Sequence, residues 1–383
     1  MTEDTNLSRA KLATRLAFVA AGFGAACWAP LVPFAKTRCH LGDDTMGLAL
    51  LLLGAGSIVA MPLAANLSAR FSGKPIILSA GVGLAVILPL LSIVSSPIAL
   101  GAALFVFGAS LGSLDVAMNL HAVGVEHASD KPLMSGFHAL YSVGGFLGSG
   151  IMTALLSRGI APGSSTIFSS IVLVLLIVVA LPRMLSNRER DKQPFFAIPR
   201  GIVLVIAIFA AISFLVEGAL LNWSALLLVG EHLVASAHGG LGYMFFSIAM
   251  TFSRLAGDGI VARFGNRIVL TLGGVTAVLG LCGLLLASAA WIGFISLIFV
   301  GLGAANIVPI LFRLAGTQHR MPKGLAVAAL TTAGYAGTLA GPAAIGFLSK
   351  GIGLHNAFWF LAALLACVPI FGKHVTVTTE NSR

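Results

Sequence analysis

The segment FGASLGSLDVAMNLHAVGVEH, residues 107–127, places Asp115 among apolar and small residues, and ISFLVEGALLNWSALLLV, residues 212–229, does the same with Glu217. An acid surrounded by hydrocarbon costs about 2.5–3.5 kcal/mol on insertion scales, so such residues pair, bind or carry a proton. At about 100° per residue, Gly108, Gly112, Asp115, Asn119, Ala122 and Glu126 fall in one narrow stripe, while Leu114, Val116, Leu120 and Val125 lie elsewhere. That stripe suits a neighbouring helix or a wet cavity. Ser213, Glu217 and Ser224 share a face of the second segment, and Asn222-Trp223 follows toward its end. Amides beside aromatic faces bind polar rings, with Trp28 expected at similar depth; Trp equally anchors helices at the interface, and both readings stand. Asn306, His138, Tyr141 and Tyr335 are further candidates for substrate contact, and His121, off the polar stripe, reads as a packing residue.

The elements that hold these residues follow from composition. Only 9% of the 383 residues are charged, against about 25% in a soluble domain, and mean hydropathy is +1.00. The class is an integral membrane protein, and the long continuous apolar runs exclude a barrel, whose strands alternate. The net charge of +10 does not point to nucleic acid, because Lys and Arg lie between apolar runs and not along one face. The opening MTEDTNLSRAKLATR precedes a run too long for a signal-peptide core, and reads as the lead into a first span. Cys27, Cys39, Cys282 and Cys367 have no metal spacing and imply no disulfide framework.

A span needs about 20 apolar residues. Cutting at charged or Pro/Gly-rich breaks predicts twelve: 13–35, 45–69, 76–95, 98–126, 133–157, 165–182, 201–229, 239–262, 268–288, 291–314, 325–349 and 354–372. The longest interruption divides a first bundle, 1–185, and a cytoplasmic linker, 186–200, from a second bundle, 201–383. With both termini cytoplasmic, 18 of the 23 Lys and Arg fall on that side and four (Lys36, Arg38, Arg158 and Lys350) on the other, with Arg254 inside a span. The positive-inside bias predicts that orientation. The halves also repeat. SARFSGKPIIL at 68–78 resembles VARFGNRIVL at 261–270, Gly108 and Gly301 match at the same offset of 193, and LLSRGI at 155–160 resembles FLSKGI at 347–352. A parallel duplication of six-helix halves is one of the transporter repeat schemes.

The chain resembles the major facilitator superfamily. Its signature loop between the second and third spans, Gly-x-x-x-Asp-Arg-x-Gly-x-Arg/Lys, is matched by AANLSARFSGK and DGIVARFGNR. Both copies keep the Arg (Arg70, Arg263) and the later cation (Lys74, Arg267), and both replace the Asp, with Ala69 and Ala262. FGASLGSLDVAMN, HALYSVGGFLGSG, VEGALLNW and SRLAGDGIVARFG are similar to bacterial inner-membrane transporters of the YbjJ type, related to fucose permease. A carboxylate-x-x-x-Asn pattern of the fourth span matches Asp115 and Asn119, Tyr141 stands at a substrate-side Asn, and the acidic partner in the first span has no match.

The resemblance implies an all-α membrane protein of twelve transmembrane helices in two pseudo-symmetric six-helix bundles. The first, fourth, seventh and tenth helices would line its cavity, and Asp115 and Glu217 would serve proton coupling. Arg254 and Asp258, four residues apart and able to pair, would form with Glu126, Arg70 and Arg263 an ion-pair latch that closes the cytoplasmic side. The small-residue runs GGFLGSG and GYAGTLAGPAAIG would let helices approach closely. No GxxxxGK[ST] run occurs, so ATP does not drive the chain, and no enzymatic activity, cofactor or metal is expected. The expected function is proton symport of a small polar, sugar-like solute by a monomer in the bacterial inner membrane. Export by the same fold and a non-transporting membrane sensor are the alternatives.

Overall fold

A computed structural model describes residues 3–129, 133–185 and 198–380. The described residues are helical wherever the apolar runs lie, because only internal hydrogen bonding satisfies a backbone in hydrocarbon. The helices are α1 (Glu3–Cys27), α2 (Val32–Arg38), α3 (Asp43–Phe71), α4 (Gly73–Ile93), α5 (Pro97–His127), α6 (Met134–Ser157), α7 (Pro162–Ala180), α8 (Ile202–Gly230), α9 (Leu241–Leu285), α10 (Ala290–Ala304), α11 (Ile307–Thr317), α12 (Lys323–Ile352) and α13 (Leu354–Glu380). The chain folds as an all-α membrane protein of twelve spans in two six-helix bundles.

Three helix boundaries depart from a one-helix-per-run reading, each for a local reason. The first run breaks after Cys27 into a 3₁₀ turn, Ala29–Leu31, and then α2, because Pro30 and Pro33 lack the N–H that would continue the ladder. The tenth run splits into α10 and α11 at Asn306, three residues before Pro309. The eighth and ninth runs join as α9, interrupted at Gly265 with φ 80° and ψ 160°. Ten helices among the described residues are long and apolar enough to cross a membrane, one of them the 50-residue segment Ser236–Leu285. The break at Gly265 makes that segment two crossings, and the 30-residue α12 supplies another. Most of the linker 186–200, with Lys131 between α5 and α6, lies outside the described residues.

The chain divides into two compact units. The first comprises Met1–Asp191 with Ala235–Met244, and the second Lys192–Val234 with Phe245–Arg383. The segment 235–244, the 3₁₀ turn Ser236–His238 and the first turn of α9, packs into the first unit, where Ser149 Oγ of α6 donates to the Gly240 carbonyl at 2.8 Å. Outward-facing Ile58, Val59, Ile167 and Val178 of the first unit and Leu255, Leu272, Leu279 and Phe299 of the second are more than two-fifths exposed. Such apolar surface suits contact with lipid tails.

In the first unit Arg38 closes the end of α4, its Nε 2.7 Å from the Val94 carbonyl and its Nη2 2.7 Å from that of Leu91. The cation thereby meets carbonyls that the helix end leaves open. Beside it, burial pushes the Cys39 thiol up from its ordinary pKa. All four cysteines are free.

Candidate functional site

In the first unit the embedded acid is Asp115, half-buried on α5. Asn119, one turn on, places Nδ2 2.8 Å from the Asp115 carbonyl and 3.2 Å from its Oδ1. The two residues matched to a carboxylate-x-x-x-Asn pattern thus form one polar pair. The small end of the stripe packs on α3. A Cβ at Gly108 would fall on the Leu53 carbonyl, and Ser57 Oγ donates to the Gly108 carbonyl at 2.7 Å. His121 is fastened at both nitrogens, Nδ1 3.0 Å from Thr14 Oγ1 and Nε2 accepting from the Leu185 N–H at 2.9 Å. Thr14 in turn donates to the Ala10 carbonyl at 2.9 Å. This chain of donors requires the neutral ring with its hydrogen on Nδ1.

In the second unit Glu217, at the middle of α8, faces the guanidinium of Arg254 on α9, Oε1 to Nη2 3.0 Å. The two side chains keep 23% and 20% of their surface exposed, so the pair is neither sealed nor open. The sequence places Pro309 four residues after Ala305, and a proline has no N–H to close that turn. The Ala305 carbonyl is therefore released from the helix, and it accepts from Arg254 Nε at 3.3 Å. Next to it, Asn306 Nδ2 lies 3.2 Å from both the Ser253 carbonyl and Ser253 Oγ, and Ser253 Oγ donates to the Leu302 carbonyl at 3.0 Å. A broken helix thus supplies both a free carbonyl and an amide to one cluster. Non-helical backbone at membrane depth is stable only where protein or a polar site receives it.

Several of the residues singled out from sequence have contacts that spacing along one helix did not indicate. The i to i+4 partnership foreseen for Arg254 and Asp258 is replaced: Arg254 turns to Glu217, and Asp258 pairs with Arg313 of α11 at 3.2 Å. Arg313 also reaches Asn266 Oδ1 at 3.5 Å. Glu126, foreseen in a latch, accepts from the Leu133 and Met134 N–H groups at 2.5 and 2.8 Å. It caps α6, where free N–H groups and the helix dipole favour an anion. Trp223 is fully buried, and its Nε1 donates to the Pro342 carbonyl of α12 at 3.1 Å. The indole rivets α8 to α12 and presents no face for a sugar ring.

Trp28 is buried with Nε1 unpartnered, and Asn222 donates to the Gly218 carbonyl at 2.8 Å while its Oδ1 has no protein partner. His138 is exposed and meets Phe18 edge-on, ring centroids 5.2 Å apart. Tyr141 and Tyr335 are half-buried on α6 and α12. Arg70 and Arg263 are exposed, each guanidinium over the next residue's ring, 5.2 Å from Phe71 and 5.5 Å from Phe264. Lys74 is half-buried and Arg267 exposed. Ser253, Arg313 and the Ala305 carbonyl were not singled out from sequence; the one signal for them was Pro309 beside a polar Asn306 in an apolar run.

Among the described residues, ten helices long and apolar enough to cross a membrane, an embedded acid in each unit and a broken helix at an ion pair define a multi-pass membrane protein. Residues 16–323 match the model of the Major Facilitator Superfamily. The chain belongs to that family. It is similar to an uncharacterized MFS-type transporter of Yersinia pestis, 44% identical over 367 residues, covering 96% of each chain. Among solved structures it resembles a nucleoside transporter, with TM-score 0.75 and 13% identity over 97% of this chain and 99% of that one. It also resembles a D-xylose–proton symporter, with TM-score 0.73 and 14% identity over 95% and 96%. At those identities the likeness concerns the fold alone.

Proposed function

We propose that the protein is a secondary active transporter that moves a small polar solute across the bacterial inner membrane by proton symport and alternating access. The observation that carries this reading is the Glu217–Arg254 pair in mid-span, 3.0 Å apart and partly accessible. A carboxylate that gives up and regains an ionic partner can couple proton binding to solute binding. Asp115 with Asn119 is the second proton-coupling candidate. Buried polar atoms without protein partners, Trp28 Nε1, Asn222 Oδ1 and Ser224 Oγ, support a solute that carries hydrogen-bonding groups, since such atoms are costly to leave unmet. The bias of Lys and Arg supports cytoplasmic termini. A working monomer is divided near residues 186–200, and the exposed basic residues Arg70, Arg263 and Arg267, with Lys74, serve the cytoplasmic gate. The YbjJ-type resemblance and the D-xylose–proton symporter among proteins of this fold favour a sugar-like substrate.

Proton uptake into proteoliposomes on addition of sugars and nucleosides tests the reading. Solute-driven uptake is expected in the wild type and is expected to fail in Glu217→Gln, Asp115→Asn or both. Uptake in both variants equal to that of the wild type refutes it.

A further inference from the structure

Arg15 leaves α1 with an exposed side chain, and among the described residues neither a hydrogen bond nor an ion pair reaches it. It edges a hollow of about 400 Å³ whose other walls are Leu133, Gly136, Phe137 and Leu140, at the start of α6. Phe137 is buried there and stacks on Phe18 of α1, ring centroids 5.7 Å apart, which ties the two walls together. The next residue, Leu16, lines a second hollow of about 210 Å³, formed with Val172, Leu175, Leu176 and Val179 of α7. Leu12, one turn before Leu16, and Leu175 and Val179 are each more than two-fifths exposed. Both hollows lie at one end of the first unit, by the first turns of α6 and the last turns of α7. The positive-inside bias assigns that end to the cytoplasm. A strip of α1 thus runs between two apolar clefts with a guanidinium at its rim.

We infer that this end of the first unit binds one anionic phospholipid, its phosphate on the Arg15 guanidinium and its acyl chains in the clefts that α1 shares with α6 and α7. An arginine at the rim of a span lays its stem on apolar surface and lifts its charge to the headgroup level. Its planar N–H fork matches two phosphate oxygens. The surrounding charge has the same sign. Lys11, one turn before Arg15, is half-buried, and Arg183, past the end of α7, is exposed and donates to the carbonyl of Val179, a residue of the second cleft. Glu126, the acid nearest in sequence to Leu133 among the described residues, is engaged by the Leu133 and Met134 N–H groups. Basic pockets between transmembrane helices on the cytoplasmic side hold anionic headgroups on these grounds. A soluble phosphate ester would gain the ion pair and leave the apolar walls uncovered. A zwitterionic lipid would cover the walls and bring a second cation to a positive rim. The site shares no residue with the Asp115 or Glu217 clusters, and the inference does not depend on transport.

The test uses the full-length protein, delipidated in a neutral detergent and titrated with phosphatidylglycerol, followed by native mass spectrometry and by the thermal midpoint. Phosphatidylcholine is the zwitterionic control and glycerol 3-phosphate the soluble one. The wild type is expected to bind one phosphatidylglycerol about fivefold or more tighter than phosphatidylcholine, and to gain in midpoint as a bound ligand requires. Glycerol 3-phosphate is expected to move neither readout. Arg15→Gln is expected to lose the preference by about fivefold, the attraction of one cation to an anionic headgroup, and Arg15→Lys to keep most of it. Gly136→Leu keeps the charge and fills the first cleft, since a Cβ there meets nothing within 4 Å. It is expected to weaken both lipids alike, with a lipid-free midpoint at or above that of the wild type, because leucine favours a helix over glycine. Equal binding of the two lipids by the wild type overturns the inference, as does an Arg15→Gln variant that keeps the preference. Wild-type lipid binding by Gly136→Leu overturns it as well, since the chains then lie elsewhere. A response to glycerol 3-phosphate equal to that for the lipid replaces the lipid with a free phosphate and overturns it too.

Discussion

Gly108 of the first unit lies where a Cβ would meet the Leu53 carbonyl, and 193 residues later Gly301 of the second stands in the same relation to the carbonyl of Phe246. Gly144 faces the Val19 carbonyl as Gly337 faces that of Ala211, while Gly148 presses on the backbone of Phe23 and Gly341 lies against the side chain of Leu215. The turns agree as well, Ser72 at φ 77° matching Gly265 at φ 80°. Against this shared frame the polar interiors differ. The first unit's acid sits on α5 beside an amide one turn away, while the second's sits on α8 and holds a cation from another helix. The positions equivalent to Arg254 and Asp258 in the first unit are Met61 and Ala65. Duplication preserved what lets helices touch and left the chemistry free to diverge, because close backbone contact tolerates no added atom whereas a polar side chain needs only a partner.

The frame is the place to break this comparison hardest. Gly108→Leu and Gly301→Leu each force a side chain into a backbone carbonyl on α3 or α9, which a small shift cannot relieve. Each is expected to lose more than about 3 kcal/mol, the upper end of overpacking costs, seen as loss of the monodisperse peak in size-exclusion chromatography. A clear difference between the two variants would show that the frames are alike in shape and unequal in rigidity.

The matched turns sharpen it at intermediate size. Ser72 has φ 77° and ψ 165°, and Gly265 φ 80° and ψ 160°, a region that side chains enter at a cost of about 1–3 kcal/mol. Ser72→Gly is expected to raise the thermal midpoint by the equivalent of about 1 kcal/mol, after the glycine's extra freedom in the unfolded chain is set against the relief. Gly265→Ser is expected to lower it by about the same or more. Opposite signs from one exchange of residues would confirm that the two turns are the same element; a destabilised Ser72→Gly would separate them.

Much of the frame was legible in the sequence, because its signals are local. Apolar runs of span length, the repeat at offset 193 and the glycine stripes all lie along the chain, and the bilayer restricts what such runs can form. The site was half legible. Asp115 and Asn119 share one helix, so a helical wheel places them together. Glu217 could be picked out as an embedded acid, yet its partner lies 37 residues on, on another helix, and spacing along one helix offered Asp258 to Arg254 instead. The contacts of Trp223 and Glu126 lay out of reach for the same reason, since burial against Pro342 and the start of α6 are tertiary facts. The split of the tenth run was within reach, as Pro309 marks the carbonyl it leaves free.

The smallest expected effect distinguishes the two ion pairs of the second unit from one another. Asp258 is 78% exposed and Arg313 42%, at 3.2 Å, and an exposed pair contributes about 0–1 kcal/mol because water and salt screen it and two long side chains must be held still. Asp258→Asn is expected to change the thermal midpoint by less than the equivalent of about 0.5 kcal/mol, and added salt is expected to erase even that. Glu217→Gln should respond differently, since its pair keeps under a quarter of its surface, and salt reaches it less. If salt titration moves the two variants alike, the Glu217–Arg254 pair is as solvated as the surface pair; if it moves Asp258→Asn alone, the embedded pair is shielded from bulk ions.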